Sequence, residues 1–154
     1  MGLSDDLRSE LAAIAPKRGC CRLAELSALF HSAGSIHLLG RGRIALHLDL
    51  ATSGIARRAF SLLRELGIES EIRTYSRRAF DRATRYQLHV PGDDRALATL
   101  VEAGVLDPRR APVERPPRRV VGRACCRGAY LRGAILGGGT LSGPRSPPLE
   151  PRAT

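Results

Sequence analysis

The sequence predicts an α+β fold: one antiparallel sheet covered by helices on one face, with elements in the order α-α-β-β-α-β-β-α. Three observations carry this. Residues 43–50, RIALHLDL, alternate apolar and polar with the period of two that marks a half-buried strand. Residues 20–33 and 53–66 instead carry leucines and alanines at helical spacing. Each pair of strand patterns is joined by a segment short enough for a hairpin.

The elements follow in order. Ser4 is placed to cap a first helix whose first turn holds Asp5 and Asp6. Leu7, Leu11 and Ile14 share a face of that helix, and Pro16 closes it. A second helix runs from about Cys20 to Ala33 on Leu23, Leu26, Leu29 and Phe30. Gly34 ends it, the strand SIHLL follows, and Gly40-Arg41-Gly42 turns the chain into RIALHLDL. A third helix, about Ser53 to Leu66, faces Ile55, Ala59, Leu62, Leu63 and Leu66 inward and Arg57, Arg58 and Arg64 outward, stopping at Gly67. Glu71–Tyr75 and Arg85–Val90 make a second hairpin around SRRAFDRAT. Pro91-Gly92-Asp93-Asp94 opens a fourth helix that ends at Gly104.

Charge divides the 154 residues unevenly. Residues 1–106 hold 15 bases and 12 acids, whereas residues 107–154 hold 10 bases, 3 acids and eight of the ten prolines. The expected organisation is therefore an N-terminal helix (1–18), a folded body (19–106), an Arg/Pro-rich linker (107–120) and a C-terminal segment (121–154). No apolar run approaches the ~20 residues of a membrane-spanning helix. The acidic start MGLSDDLRSE is unlike a secretory signal, and Asp6 stands where a myristoylation signal wants Ser or Thr. Four cysteines in two adjacent pairs make no disulfide framework. These features predict a cytoplasmic protein. All bases but Lys17 are arginine, which suits phosphate recognition but is equally the bias of a GC-rich coding sequence.

An internal repeat links the two ends. CCRLAELSALFHSAGSI begins at Cys20 and CCRGAYLRGAILGGGTL at Cys125. At an offset of 105, Cys20/Cys125, Cys21/Cys126, Arg22/Arg127, Ala24/Ala129, Leu26/Leu131 and Gly34/Gly139 are identical. Ala24, Ser27 and Ala28 in the first segment, and Ala129, Gly133 and Ala134 in the second, form stripes of small residues that let two helix backbones approach closely. The two helices, the second over 121–137, are expected to pack as a pseudo-twofold pair.

A small-residue helix that ends in Gly-Ser/Thr-apolar and runs into a hairpin resembles the motif of the LAGLIDADG homing endonucleases. The matching stretches are Leu26 to Ser35 and Leu131 to Thr140. The CCR-x-A-x-L opening, the SDDLRSELA helix and CCRGAYLRGA more specifically resemble the WhiA sporulation and cell-division regulators, over most of residues 1–142. The resemblance implies a LAGLIDADG-like saddle in which two such helices form the central interface and the sheet lies over DNA. It also implies a C-terminal helix-turn-helix part that this sequence lacks. With TLSGPRSPPLEPRAT after Gly139, the second repeat reads as truncated and the chain as an N-terminal fragment, folding as a half-saddle, monomeric or weakly dimeric.

In the resembling nucleases an acidic residue before each terminal glycine binds the catalytic metals. Those places hold Ala33 and Gly138, with His31 and Leu136 at the other acidic positions. The expectation is no catalytic residues, no enzyme activity, no metal and no cofactor. Two substitute sites are conceivable. His37, His47 and His89 fall on the polar sheet face with Asp49, Arg73, Arg85 and Gln87, but neighbouring arginines repel a cation, so a solvated or DNA-facing surface is favoured. Adjacent cysteines point about 100° apart on a helix, so a pair is not expected to ligate one ion. Tight packing of buried thiols is favoured over a redox switch or a shared cysteine site.

DNA contact is assigned to Arg41 and Arg43 at the first hairpin and to Arg73, Arg77, Arg78, Arg82 and Arg85 around the second. The expected function is a DNA-binding transcriptional regulator of sporulation or cell division, nucleoid-associated, with DNA and a partner regulator as partners and no membrane. The alternatives are a protein-interaction module of that regulator, and, less favoured, an active metal-dependent endonuclease.

Overall fold

The computed structural model describes residues 3–76 and 84–138. Its elements are α1 (Leu3–Ala12), α2 (Gly19–Ala33), β1 (Gly34–Gly40), β2 (Arg43–Leu50), α3 (Ser53–Glu65), β3 (Glu71–Ser76), β4 (Thr84–Pro91), α4 (Asp94–Glu102) and α5 (Ala124–Leu136). The four strands form one antiparallel sheet in the order β1-β2-β4-β3, so the two hairpins join through β2 and β4. This is the expected α+β architecture.

Period-two patterning divides the sheet. Leu46, Leu48, Leu88 and Val90 point to one face and are fully buried with Leu26 and Leu29 of α2 and Leu62 and Leu63 of α3. Burial of each such side chain stabilises the fold by about 1.5–3 kcal/mol. Side-chain caps hold two helices at their starts: Thr52 Oγ1 accepts from the Ile55 amide (3.2 Å), and Asp93 Oδ1 accepts from the Ala96 amide (2.8 Å).

The expected helix pair is present. α5 lies parallel to α2: Arg18 reaches Cys125 at one end, Tyr130 meets His31, and Gly137 adjoins Ser32 at the other. The approach is close enough that a Cβ on Gly133 would lie 2.5 Å from the Glu25 carbonyl oxygen and 2.9 Å from the Ala28 Cβ, so only glycine fits there. Residues 107–120 pack against this assembly. The Val113 amide donates to the Val105 carbonyl (2.9 Å), Arg119 reaches the Val101 and Glu102 carbonyls, and Val120 is buried.

Several sequence expectations need correction. α1 already includes Leu3, so the helix begins before Ser4; it ends at Ala12, leaving Ile14 outside it and 45% exposed. Residues 121–123 precede α5, linking it to a turn over residues 118–120 in which the Val121 amide donates to the Arg118 carbonyl. Arg58 is buried, not outward, for it lies at helical spacing between Ile55 and Leu62 and finds an anion inside. Arg77, Arg78, Arg82, and the second repeat from Gly139 onward, lie outside the described residues.

Candidate nucleic-acid interface

The sheet's second face is built by the same parity that builds the core. Strand pairing places His37 beside His47's strand neighbour Ala45, His47 opposite His89, Asp49 opposite Gln87, Gln87 opposite Arg73, and Tyr75 opposite Arg85. Arg43, at the start of β2, shares the parity of His47 and Asp49 and so faces the same way. The register also fixes the ends: the β1–β2 turn lies toward Pro91 at one end of the sheet, whereas Ser76 and Thr84 lie toward Leu50 at the other. Of the described arginines, Arg73 and Arg85 lie together near one end, and Arg41 and Arg43 lie at the opposite end.

Three histidines form a row across the middle. The His37 and His47 ring centroids are 4.1 Å apart, and His47 Nε2 lies 2.9 Å from His89 Nδ1. One ring of that second pair donates and the other accepts, so both cannot be doubly protonated while the bond persists. Burial, followed by the charges of His37 and His89, holds the His47 imidazole below its ordinary value. Acidic groups interrupt the positive surface. Glu71 pairs with Arg73 (2.8 Å), and the Tyr75 hydroxyl donates to Asp49 Oδ1 (2.6 Å), which raises the phenol's pKa. Arg41 sits in the turn with φ 57°, between Gly40 and Gly42, both also at positive φ. A non-glycine residue in that region costs about 1 kcal/mol, a strain that Asn or Gly would relieve.

The helix ends offer different chemistry. Ala33 is the last residue of α2, and Gly138 follows α5 at φ 121°. Neither has a side chain able to ligate a metal. His31 turns to the interface instead: its Nε2 lies 2.8 Å from the Val113 carbonyl and its Nδ1 2.9 Å from the Tyr130 hydroxyl. A carbonyl only accepts, so Nε2 carries the hydrogen and Nδ1 accepts from Tyr130. Burial holds this imidazole below its ordinary value, favouring that neutral form. The adjoining cleft, about 340 Å³, is lined mainly by apolar groups such as Phe30, Ile36, Leu46 and Val113.

A buried ion cluster lies beyond what the sequence pattern announced. Glu25 is fully buried between Arg132 (Nη2 to Oε1, 3.0 Å) and Arg58 (Nε to Oε2, 3.5 Å), tying α2 to both α5 and α3. Burial pushes its carboxyl up, and the two guanidiniums pull it back. The signal was present: Glu25 stands one helical turn from both Cys21 and Leu29, on the face that packs. The two cysteine pairs meet across the seam. All four thiol sulfurs, of Cys20, Cys21, Cys125 and Cys126, lie within 4.8 Å of one another. The 100° divergence within each pair is overcome because each pair straddles the line between the two helices. A hydrogen bond from Cys21, with Arg18 beyond it, holds the exposed Cys125 thiol down; burial pushes Cys126 up to about 12.

A one-sided antiparallel sheet with a close parallel helix pair, one helix running straight into the sheet's edge, defines a LAGLIDADG-type domain. The fold matches the crystal structure of the N-terminal LAGLIDADG domain of DUF199/WhiA with a TM-score of 0.63 and 15% identity, over 94% of this chain and 62% of that one. It also matches I-DmoI, solved in complex with DNA and Mn, with a TM-score of 0.50 and 16% identity, over 79% of this chain and 63% of that one. The family model of the WhiA N-terminal LAGLIDADG-like domain matches residues 19–103, and the chain belongs to that family. The probable cell division protein WhiA of Heliobacterium modesticaldum is 35% identical over 145 residues, 94% of this chain and 46% of that protein. The chain thus spans about half the length of the curated relatives it matches. No helix among the described residues is long and apolar enough to cross a membrane.

Proposed function

We propose that this chain is a DNA-contacting, non-cleaving part of a WhiA-type transcriptional regulator of cell division, with residues 19–106 as its first repeat. The observation that carries the reading is the outer sheet face, where Arg43, Arg73 and Arg85 flank a row of three histidines. Arg41 adds a cation held in a strained turn at one end, a strain consistent with a functional position. Arg77, Arg78 and Arg82 belong to the same proposed set by sequence. Non-cleavage is supported by Ala33 and Gly138 standing where the resembling nucleases carry metal-binding acids.

The test is electrophoretic retardation of duplex DNA by the 154-residue chain across a salt series, with and without magnesium. The expected outcome is binding that weakens steeply with salt, without strand cleavage. Replacing Arg41 or Arg73 with Gln lowers the salt slope by about 1 for each phosphate deprived of its cation. Cleavage with magnesium, or no retardation at low salt, refutes the proposal. A second reading, docking of a partner regulator, draws on Leu38 and Leu39, which are 83% and 52% exposed on the edge strand. It predicts association that persists at high salt and is abolished by Leu38→Asp.

A further inference from the structure

We propose that Cys20, Cys21, Cys125 and Cys126 form a tetrathiolate site for a single zinc ion that joins the N-terminal ends of α2 and α5. The site is independent of the DNA-binding reading, since it sits at the opposite end of the helix pair from Ala33 and Gly138.

Geometry is the first argument. Zinc bonds thiolate sulfur at about 2.3 Å, and a tetrahedral arrangement at that length sets the sulfurs roughly 3.8 Å apart. Four sulfurs mutually within 4.8 Å fall around one ion of that kind after small rotations about χ1. All four cysteines are free, so no disulfide competes for them in this arrangement. A four-sulfur donor set selects a soft or borderline ion over magnesium or calcium, and zinc imposes no geometric preference of its own. Cys21 and Cys126 are buried and Cys125 is exposed, which gives the ion a shielded seat and an entry side.

Charge is the second argument and does not depend on the first. Two parallel helices bring two positive dipole ends side by side. Neither helix has an acidic residue in its first turn, and neither has a side-chain cap: Arg18 and Arg123 occupy the cap positions. Arg18 adds its own charge, with Nη1 3.6 Å from Cys125 Sγ. The fold therefore concentrates positive potential where neither helix supplies a carboxylate in its first turn, with Glu65 paired to Arg22 (3.4 Å). Four thiolates around a divalent ion carry a net charge of −2, which neutralises that field and gives the first-turn amides an anionic partner. Tight packing of thiols alone leaves it unanswered.

The repeat explains how two vicinal pairs reach one ion. Cys20 and Cys125 are equivalent under the 105-residue offset, as are Cys21 and Cys126. An ion on the pseudo-twofold axis is approached by both pairs in the same way, and each helix contributes half of the coordination.

The experiment is metal analysis of the full 154-residue chain purified under reducing conditions without chelator, followed by replacement of zinc with cobalt. The expected result is one zinc per chain, and cobalt spectra with thiolate-to-cobalt charge transfer and the intense visible bands of a tetrahedral site. Cys125→Ser, at an exposed position that leaves the core intact, weakens zinc binding by more than the roughly 10- to 100-fold that removing a group hydrogen-bonded to a ligand costs. Circular dichroism checks that the variant remains folded. Folded wild-type protein that neither retains zinc nor develops charge-transfer bands overturns the proposal. So does zinc that survives Cys125→Ser and Cys20→Ser but is released by His47→Gln, which places the metal on the histidine row. Intact mass showing disulfides formed among the four thiols despite added zinc overturns it as well.

Discussion

α2 and α5 both carry Cys-Cys-Arg as their second to fourth residues, share small residues along one stripe, and lie side by side, yet they have different surroundings. α2 rests on the sheet and buries Cys21, Ala24, Glu25, Leu26, Ser27, Ala28, Leu29 and Phe30. α5 buries Cys126, Ala129, Gly133 and Leu136, all but the last in its seam with α2. Leu26 is fully buried, and its repeat equivalent Leu131 is 59% exposed. A shared motif therefore specifies the seam between the helices. What lies behind each helix is set by the elements around it.

Four experiments test this contrast. The largest effect is expected at Glu25, which only α2 carries. Glu25→Ala leaves Arg58 and Arg132 without their anion and should cost about 3–5 kcal/mol in urea unfolding. Tyr130→Phe, at the equivalent place in α5, removes one hydrogen bond to His31 and should cost about 1 kcal/mol. Next come the paired leucines: Leu26→Ala should lose about 2–5 kcal/mol, and Leu131→Ala less than about 0.5 kcal/mol. Equal losses would show that α5 packs on something as α2 does.

The third experiment lies within α5. A Cβ at Gly133 meets the backbone of α2, whereas one at Gly128 meets nothing within 4 Å. Gly133→Ala should destabilise by about 1–3 kcal/mol, and Gly128→Ala should stabilise by about 0.5–1 kcal/mol through helix propensity. The smallest effect is pH dependence through His31. Its folded-state pKa lies below the ordinary 6.5, so the unfolded chain binds the proton first as pH falls. Stability is full above about 6.5 and declines below it until the folded-state value is reached, by at most about 1.4 kcal/mol per pH unit. Thermal unfolding at pH 7.5 and 5.5 should show that slope, and His31→Gln should reduce it to the share that His47 contributes with the same sign.

The outer face was largely legible because parity alone determines it: His37, His47, His89, Arg73 and Arg85 needed only the period-two pattern. The seam was legible from Ala24, Ala28, Ala129 and Gly133 because small residues at helical spacing have few other uses. Arg58 reads as outward only when its charge outweighs its place between Ile55 and Leu62; the partner that makes burial tolerable, Glu25, is 33 residues away in sequence. The approach of a thiol from each helix followed from the repeat, but the meeting of all four was legible only in part, for a related reason. Directions on one helix say nothing of where a second helix brings its own. Ile14 misleads because apolar spacing continues past Ala12, where the chain has already left the helix.

The junction between Ala33 and Gly34 acts like a gear with no slack. α2 ends at one residue and β1 begins at the next, so no loop separates the two periodicities. One residue inserted there has to be absorbed by the helix or by the strand. In the helix it turns the small-residue stripe about 100° away from α5. In the strand it exchanges the two faces of β1, sending His37 toward the core and Ile36 into solvent. The spacing between the helix seam and the sheet surface is thereby quantised, and a family built on this junction is free to vary in its turns and not in the count of residues across it.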